Sequence, residues 1–284
     1  MPSSAEALLE LLDLETIDLN LFRGRQPDTG RQRVFGGQVA AQSLVAATRT
    51  APEETTVHSL HSYFLRPGDH RMPIVYDVDR TRDGRSFATR RVLARQHGRP
   101  IYALTASFHV QEEGFEHQDV AIDVPGPDES ADLVDLLSAD EARKAEWLRE
   151  WAALDLRIAD RNPPLGKDDD GSPARASYWV KVGGRLPDDQ LIHQAALTYL
   201  SDLTLIGVTL LRHGLHPNHP RVQAASLDHT VWFHKPLRAD EWLLYRQTSP
   251  VATGGRGLAL GELFSEDGTL VASVAQEGLI RPSH

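Results

Sequence analysis

The chain says nearly the same thing twice. From Ser59 it reads SLHSYFLRPG, and from Ser226 it reads SLDHTVWFHKP: Ser-Leu, a His, an aromatic, a basic residue and Pro. With Phe64 laid on Phe233, a shift of 169, Pro67 meets Pro236 and Tyr76 meets Tyr245. With a small loop adjustment, Gly84-Arg85-Ser86 meets Gly255-Arg256-Gly257 and Gly98 meets Gly268. A repeat at this spacing in 284 residues requires two copies of one unit, each large enough for its own core.

Both copies carry the same local code. MPIVYDVDRTRDGRSFATRRVLARQHGRPIYALTASFHV and EWLLYRQTSPVATGGRGLALGELFSEDGTLVASVAQEGLI each read strand, turn, strand, turn, strand. Alternating stretches such as ATRRVLARQ and LALGELFSE flank Gly-containing turns, the pattern of an antiparallel meander. Ahead of each meander lies one apolar helix: GGQVAAQSLVAATRT from about Gly37, and HQAALTYLSDLTLIGVTLLRH from His193 to His213. Neither has a broad polar face, so each must be buried. The fold class that follows is α+β, a double hotdog: two curved antiparallel sheets, each wrapping a central helix. The expected division is an N-terminal unit over 1–112, a linker with a short helix over 113–153, and a C-terminal unit over 154–284. In the linker, SADEARKAEWLREWAAL offers Ser138 as N-cap and Glu141 at the capping-box position. RNPPLGKDDDGSPARAS reads as a loop, and LDLRIAD and SYWVKV as the opening strands of the second unit.

Charge and cysteine content narrow the function. Forty Asp and Glu against thirty Lys and Arg leave a formal charge of −10, which argues against nucleic-acid or anionic-membrane partners. With no Cys there is no disulfide, thiolate metal site or Cys nucleophile. The start MPSSAEALLELLDLE lacks the basic and apolar regions of a signal peptide, LIRPSH is not a Ser-Lys-Leu ending, and no apolar run reads as approaching the ~20 residues of a membrane span. A cytoplasmic location is expected.

Some residues break the apolar pattern. Asp202 sits among Leu200, Leu203, Leu205 and Ile206, where a carboxylate is costly unless compensated. It either does chemistry or lies on a narrow polar stripe with Thr198 and Ser201. Alternation in the last strand puts Ala272, Val274, Gln276 and Gly278 on the inward face, so Gln276 interrupts an apolar set; its amide can bind a water and a carbonyl, or satisfy a backbone group. Ser226 in AASLDH can hold a water, while the lack of any G-x-S-x-G elbow argues against a nucleophile. His61 and His229 read as structural donors to backbone carbonyls. His213, His216 and His219 in RHGLHPNHP read as loop histidines and no metal is expected. Gly36 and Gly37 begin a helix whose exposed N–H groups can hold an anion or oxyanion.

VFGGQVAAQSLVAA, VHSLHSYFLRPGD, YLSDLTLI, SLDHTVWFHKPLRADEWLLY and LVASVAQEGLIR, in this order across both halves, resemble the acyl-CoA thioesterase II (TesB-like) family. The resemblance implies a double hotdog that hydrolyses acyl-CoA without a cofactor, as a homodimer or homotetramer. Its catalytic Asp, Ser/Thr and Gln fall on Asp202, Ser226 and Gln276, with His58 as an accessory residue and Asp228 structural. At the place of Gln276 the first unit has Ala106, so one unit alone carries the trio. Two other readings remain open: a hotdog hydratase or dehydratase on acyl thioesters, and a non-catalytic acyl-CoA-binding module. The spacing Asp202 to Gly207, where a hydratase-style helix would need His, argues against the first, and the lack of a DNA-binding segment against the second.

Overall fold

The computed structural model describes residues 1–120, 123–136, 141–160 and 174–283. Ser138 and most of the loop expected between the linker helix and the second unit lie outside the described residues. The first half runs α1 (Ala5–Leu12), β1 (Glu15–Asp18), β2 (Leu21–Gly24), α2 (Gly36–Thr48), β3 (Thr55–Phe64), β4 (Ile74–Asp83), β5 (Phe87–Gln96) and β6 (Arg99–Val110). Between the halves come β7 (Ala131–Asp132), α3 (Leu133–Leu136) and α4 (Glu141–Trp151). The second half runs β8 (Leu154–Ile158), β9 (Ala174–Val182), α5 (Gln190–Ser201), α6 (Leu205–Val208), β10 (Val222–Ser226), β11 (Asp228–Phe233), β12 (Leu243–Thr253), β13 (Arg256–Ser265) and β14 (Leu270–Pro282).

The two curved sheets are continuous. Among the described residues all strands belong to one antiparallel sheet in the order β1-β2-β4-β5-β6-β3-β11-β14-β13-β12-β9-β8-β7, with β10 on β14. The seam is β3 against β11, and these strands are the repeated phrases. Ser59 pairs with Trp232, His61 with Thr230 and Tyr63 with Asp228. Under the shift of 169 the counterpart of Ser59 is Asp228 and that of Tyr63 is Trp232, so each pair exchanges counterparts about His61 and Thr230. That is the rule of a two-fold interface, obeyed inside one chain.

The two apolar helices meet under this seam. Every residue of α2 from Gly37 to Ala47 is buried, as is every residue of α5 from His193 to Ser201, and α2 packs on α5. Two matched tyrosines tie sheet to helix: Tyr76 Oη donates to Gln42 Oε1 at 2.6 Å, and Tyr245 Oη to the carbonyl of Ser201 at 2.9 Å. α4 reaches back to the first half, where Glu150 accepts from Thr29 Oγ1 (2.5 Å) and the Gly30 N–H (2.9 Å).

The second helix departs from expectation. It is not continuous to His213: α5 ends at Ser201, a turn covers 202–204, α6 follows, and a 3₁₀ turn spans Leu211–His213. The whole stretch Gln190–His213 is long and apolar enough to cross a membrane by composition, contrary to the reading above, yet 78% of its most apolar window is buried inside the protein. It is the core of the second unit.

Candidate active site

The break after Ser201 places the acid. Thr198 Oγ1 donates to the Gln194 carbonyl (2.8 Å) and Ser201 Oγ to the Thr198 carbonyl (3.1 Å), side-chain bonds that compete with a regular helix. The next turn tightens, with the Leu203 N–H on the Leu200 carbonyl. Asp202 becomes the C-cap, not the mid-helix residue expected, at φ −79° and ψ −13°. Its carboxylate is buried and turned toward the start of α2, where the Gly37 N–H donates to it. A Cβ on Gly36 would stand 2.5 Å from Asp202 Oδ2, so only glycine admits the acid there. The start of α2 thus faces the carboxylate of Asp202, and the Gly37 N–H lowers that acid's proton affinity.

The last strand brings the other two candidates. Ser226 ends β10 and pairs with Gly278 of β14, and its Oγ donates to Asp202 Oδ1 at 3.3 Å. Gln276, on the inward face of β14 as alternation required, donates from Nε2 to the same oxygen at 2.5 Å. Gln276 Oε1 is buried with no partner among the described residues. One carboxylate thus gathers groups from α2, β10 and β14.

Burial pushes the Asp202 carboxyl up to about 6, opposed by the bonds from Gln276, Ser226 and Gly37. The folded state therefore holds the proton more tightly than the unfolded chain. Stability is undiminished below the ordinary carboxylate range, falls as pH rises toward 6, and is lower by about 3 kcal/mol above it. Asp202→Asn is expected to be more stable than the parent at pH 8 by up to that amount and to have lost about two thirds of the advantage by pH 4.5. Urea unfolding at both pH values checks this.

Sequence reasoning overlooked a second layer. His229 sits beneath Gln276, its Nδ1 3.2 Å from Gln276 Nε2 and its Nε2 2.9 Å from Ser201 Oγ. It does not donate to a backbone carbonyl as expected; its own carbonyl accepts from Ser62 Oγ at 2.6 Å. The matched tyrosines were the available signal, since Tyr245 fixes Ser201 as Tyr76 fixes Gln42. Asp228 accepts from the Glu277 N–H at 2.6 Å, a backbone bracket beside Ser226. His61 is exposed and edge-on to Trp232. His58 is not brought to Asp202. Its Nε2 lies 2.8 Å from Ser107 Oγ beside Phe87 and His109, and Ser107 alternates with the fully buried Ala106 and Phe108, so His58 occupies the face away from the helices. His219 Nδ1 accepts from the Arg221 N–H, and no three His, Asp or Glu among the described residues are grouped to hold a metal.

At the corresponding place in the first unit there is no acid cluster. Ala106 stands for Gln276 and Val57 for Ser226, both buried, and the Val57 carbonyl accepts from Gln194 Nε2 at 3.1 Å. Among the described residues this arrangement occurs once, and both halves build it.

Known proteins place this chain. A family profile described as acyl-CoA thioesterase matches residues 150–279, and one described as acyl-CoA thioesterase N-terminal domain matches 23–109. The chain is 42% identical over 276 residues to acyl-CoA thioesterase 2 of Haemophilus influenzae, covering 96% of each chain. It superposes on the acyl-CoA thioesterase II TesB2 from Mycobacterium marinum with a TM-score of 0.83 at 44% identity, covering 97% of this chain and 98% of that one. A conserved protein with hot dog fold from Alicyclobacillus acidocaldarius shares the fold alone, at a TM-score of 0.78, 22% identity, and coverage of 98% of this chain and 99% of that one. The chain belongs to the acyl-CoA thioesterase family.

Proposed function

We propose that this protein hydrolyses acyl-CoA to a free acid and CoA by a water molecule held between Asp202, Ser226 and Gln276. The observation that carries the reading is the buried carboxylate that accepts from both Ser226 Oγ and Gln276 Nε2, at 3.3 and 2.5 Å. With its proton affinity raised to about 6, Asp202 is ionised at neutral pH and is a better base than an ordinary carboxylate. It takes a proton from the water as the oxygen bonds to the thioester carbonyl carbon. The unpartnered Oε1 of Gln276 accepts a hydrogen bond from the water's second O–H, which stays on the attacking oxygen and leaves with the product acid. When the carbon–sulfur bond breaks, Asp202 returns its proton to the departing sulfur.

The test is thiol release from acyl-CoAs of increasing chain length. The initial slope and acyl length dependence define the substrate class, and no release from any of them by folded protein would defeat the proposal. In a single turnover in heavy-oxygen water the label is expected in the product acid and not in the protein. Label in the Asp202 carboxylate would mean covalent attack.

Ser226 has a lesser part. One hydrogen bond to the base is worth about 0.5–1.5 kcal/mol. Ser226→Ala is therefore expected to lower kcat about 3–10-fold, and Ser226→Thr to keep most activity. A loss of many orders of magnitude in Ser226→Ala would identify a nucleophile instead.

A further inference from the structure

The amide of Gln276 has two ends, and the structure contains a chain of bonds that chooses between them. It starts at the Thr198 carbonyl, which can only accept. Ser201 Oγ gives it its single hydrogen at 3.1 Å. Ser201 Oγ must then accept from His229 Nε2, 2.9 Å away, which puts the imidazole proton on Nε2. His229 Nδ1 is left with a lone pair and must receive a hydrogen from Gln276, 3.2 Å away. The NH₂ end of the amide therefore faces His229, and its second hydrogen reaches Asp202 Oδ1 at 2.5 Å. The reversed amide would set an oxygen against the carboxylate, acceptor on acceptor.

We infer that His229, neutral and protonated on Nε2, is a positioning residue that holds the Gln276 amide with its nitrogen on Asp202 and its oxygen free. This rests on hydrolysis at Asp202 and explains how Oε1 comes to be the unpartnered atom. The imidazole suits the task because it is fully buried and its carbonyl is anchored by Ser62. Burial pushes its proton affinity down to about 4, so it stays uncharged where Asp202 is ionised. Ser201 is in turn fixed through its own carbonyl by Tyr245. Thr198, Ser201 and His229 act through the Gln276 amide.

Two measurements test it. Nitrogen NMR of the wild-type protein labelled at histidine, with His229 assigned by difference against His229→Asn, is expected to show Nε2 protonated and Nδ1 bare across neutral pH. A proton on Nδ1 overturns the inference whatever the enzyme's activity. In steady-state kinetics His229→Leu is expected to lower kcat by about 10–100-fold with KM nearly unchanged, since the buried amide is freed to reverse. His229→Asn, whose amide oxygen can take the place of Nδ1, is expected to recover much of that loss. In a Gln276→Ala background His229→Leu is expected to cost nothing further. An equal cost in that background would make His229 a packing residue and defeat the proposal. Wild-type protein that releases no thiol from any acyl-CoA would defeat the hydrolysis reading instead, and the NMR result would then judge the relay alone.

Discussion

Asp202→Asn is expected to lower kcat/KM for thioester hydrolysis by about 10²–10⁴-fold, the usual worth of a positioned general base. The amide fills the same volume, so Ser226 and Gly37 keep a neighbour while the proton acceptor is lost. In the parent, kcat/KM is expected to rise with pH through about 6 and then level off, because the base works only when ionised. The variant's residual rate should lack that limb. Thiol release between pH 5 and 8 checks both expectations together. A variant with parental rate would remove Asp202 from the chemistry, and a parental profile flat through pH 6 would assign the base elsewhere.

Gly37→Ala is expected to damage both fold and site with a single methyl group. A Cβ there would stand 2.2 Å from the backbone carbonyl of Tyr199, which no side-chain rotation can relieve. The start of α2 must move away from the end of α5. Overpacking of this kind costs about 1–3 kcal/mol or more, several degrees of Tm in a chain of this size. The same movement takes the Gly37 N–H off the Asp202 carboxylate, and that bond lowers the acid's proton affinity. The acid limb of the rate profile should therefore shift to higher pH while the maximal rate falls. Gly207→Ala is the control. Its nearest neighbours are Pro217 ring carbons at 3.9 Å, so it should be neutral or stabilising by up to about 1 kcal/mol. Thermal melts and pH–rate profiles of the two variants, side by side, separate a local clash from a general aversion to alanine.

The repeat, the meanders and the two buried helices could be read from sequence because each leaves a periodic or uniformly apolar imprint. Asp202 and Gln276 stood out because each interrupts such an imprint. The break after Ser201 left none: the chain remains apolar across it, and its cause is a pair of hydroxyls bonding back to carbonyls. β1 and β2, four residues each, are too short to show alternation. The His229 relay was hidden for another reason. Its partners lie 28 and 47 residues away, and only the folded sheet brings β11 beside β14 and over the end of α5. The resemblance singled out His58, which stands one residue ahead of the first repeated phrase, rather than His229 within the second. The β-bulge between Val57 and Ser59 and the strand's alternation set His58 on the other face.

The seam between β3 and β11 has a consequence for the ancestry of the chain. Strands that exchange counterparts about His61 and Thr230 are what two separate copies of one ancestral protomer would form on meeting. Two such copies would be identical, however, and the acid at the end of one helix needs a glycine pair at the start of the other. The start of α5 carries no such pair. A self-associated pair of second halves would hold two carboxylates and no berth for either; a pair of first halves would offer two berths and no carboxylate. Covalent fusion makes the mixed pairing obligatory. Each half supplies what the other lacks, so the glycine berth and the carboxylate meet only when the two unlike halves pair.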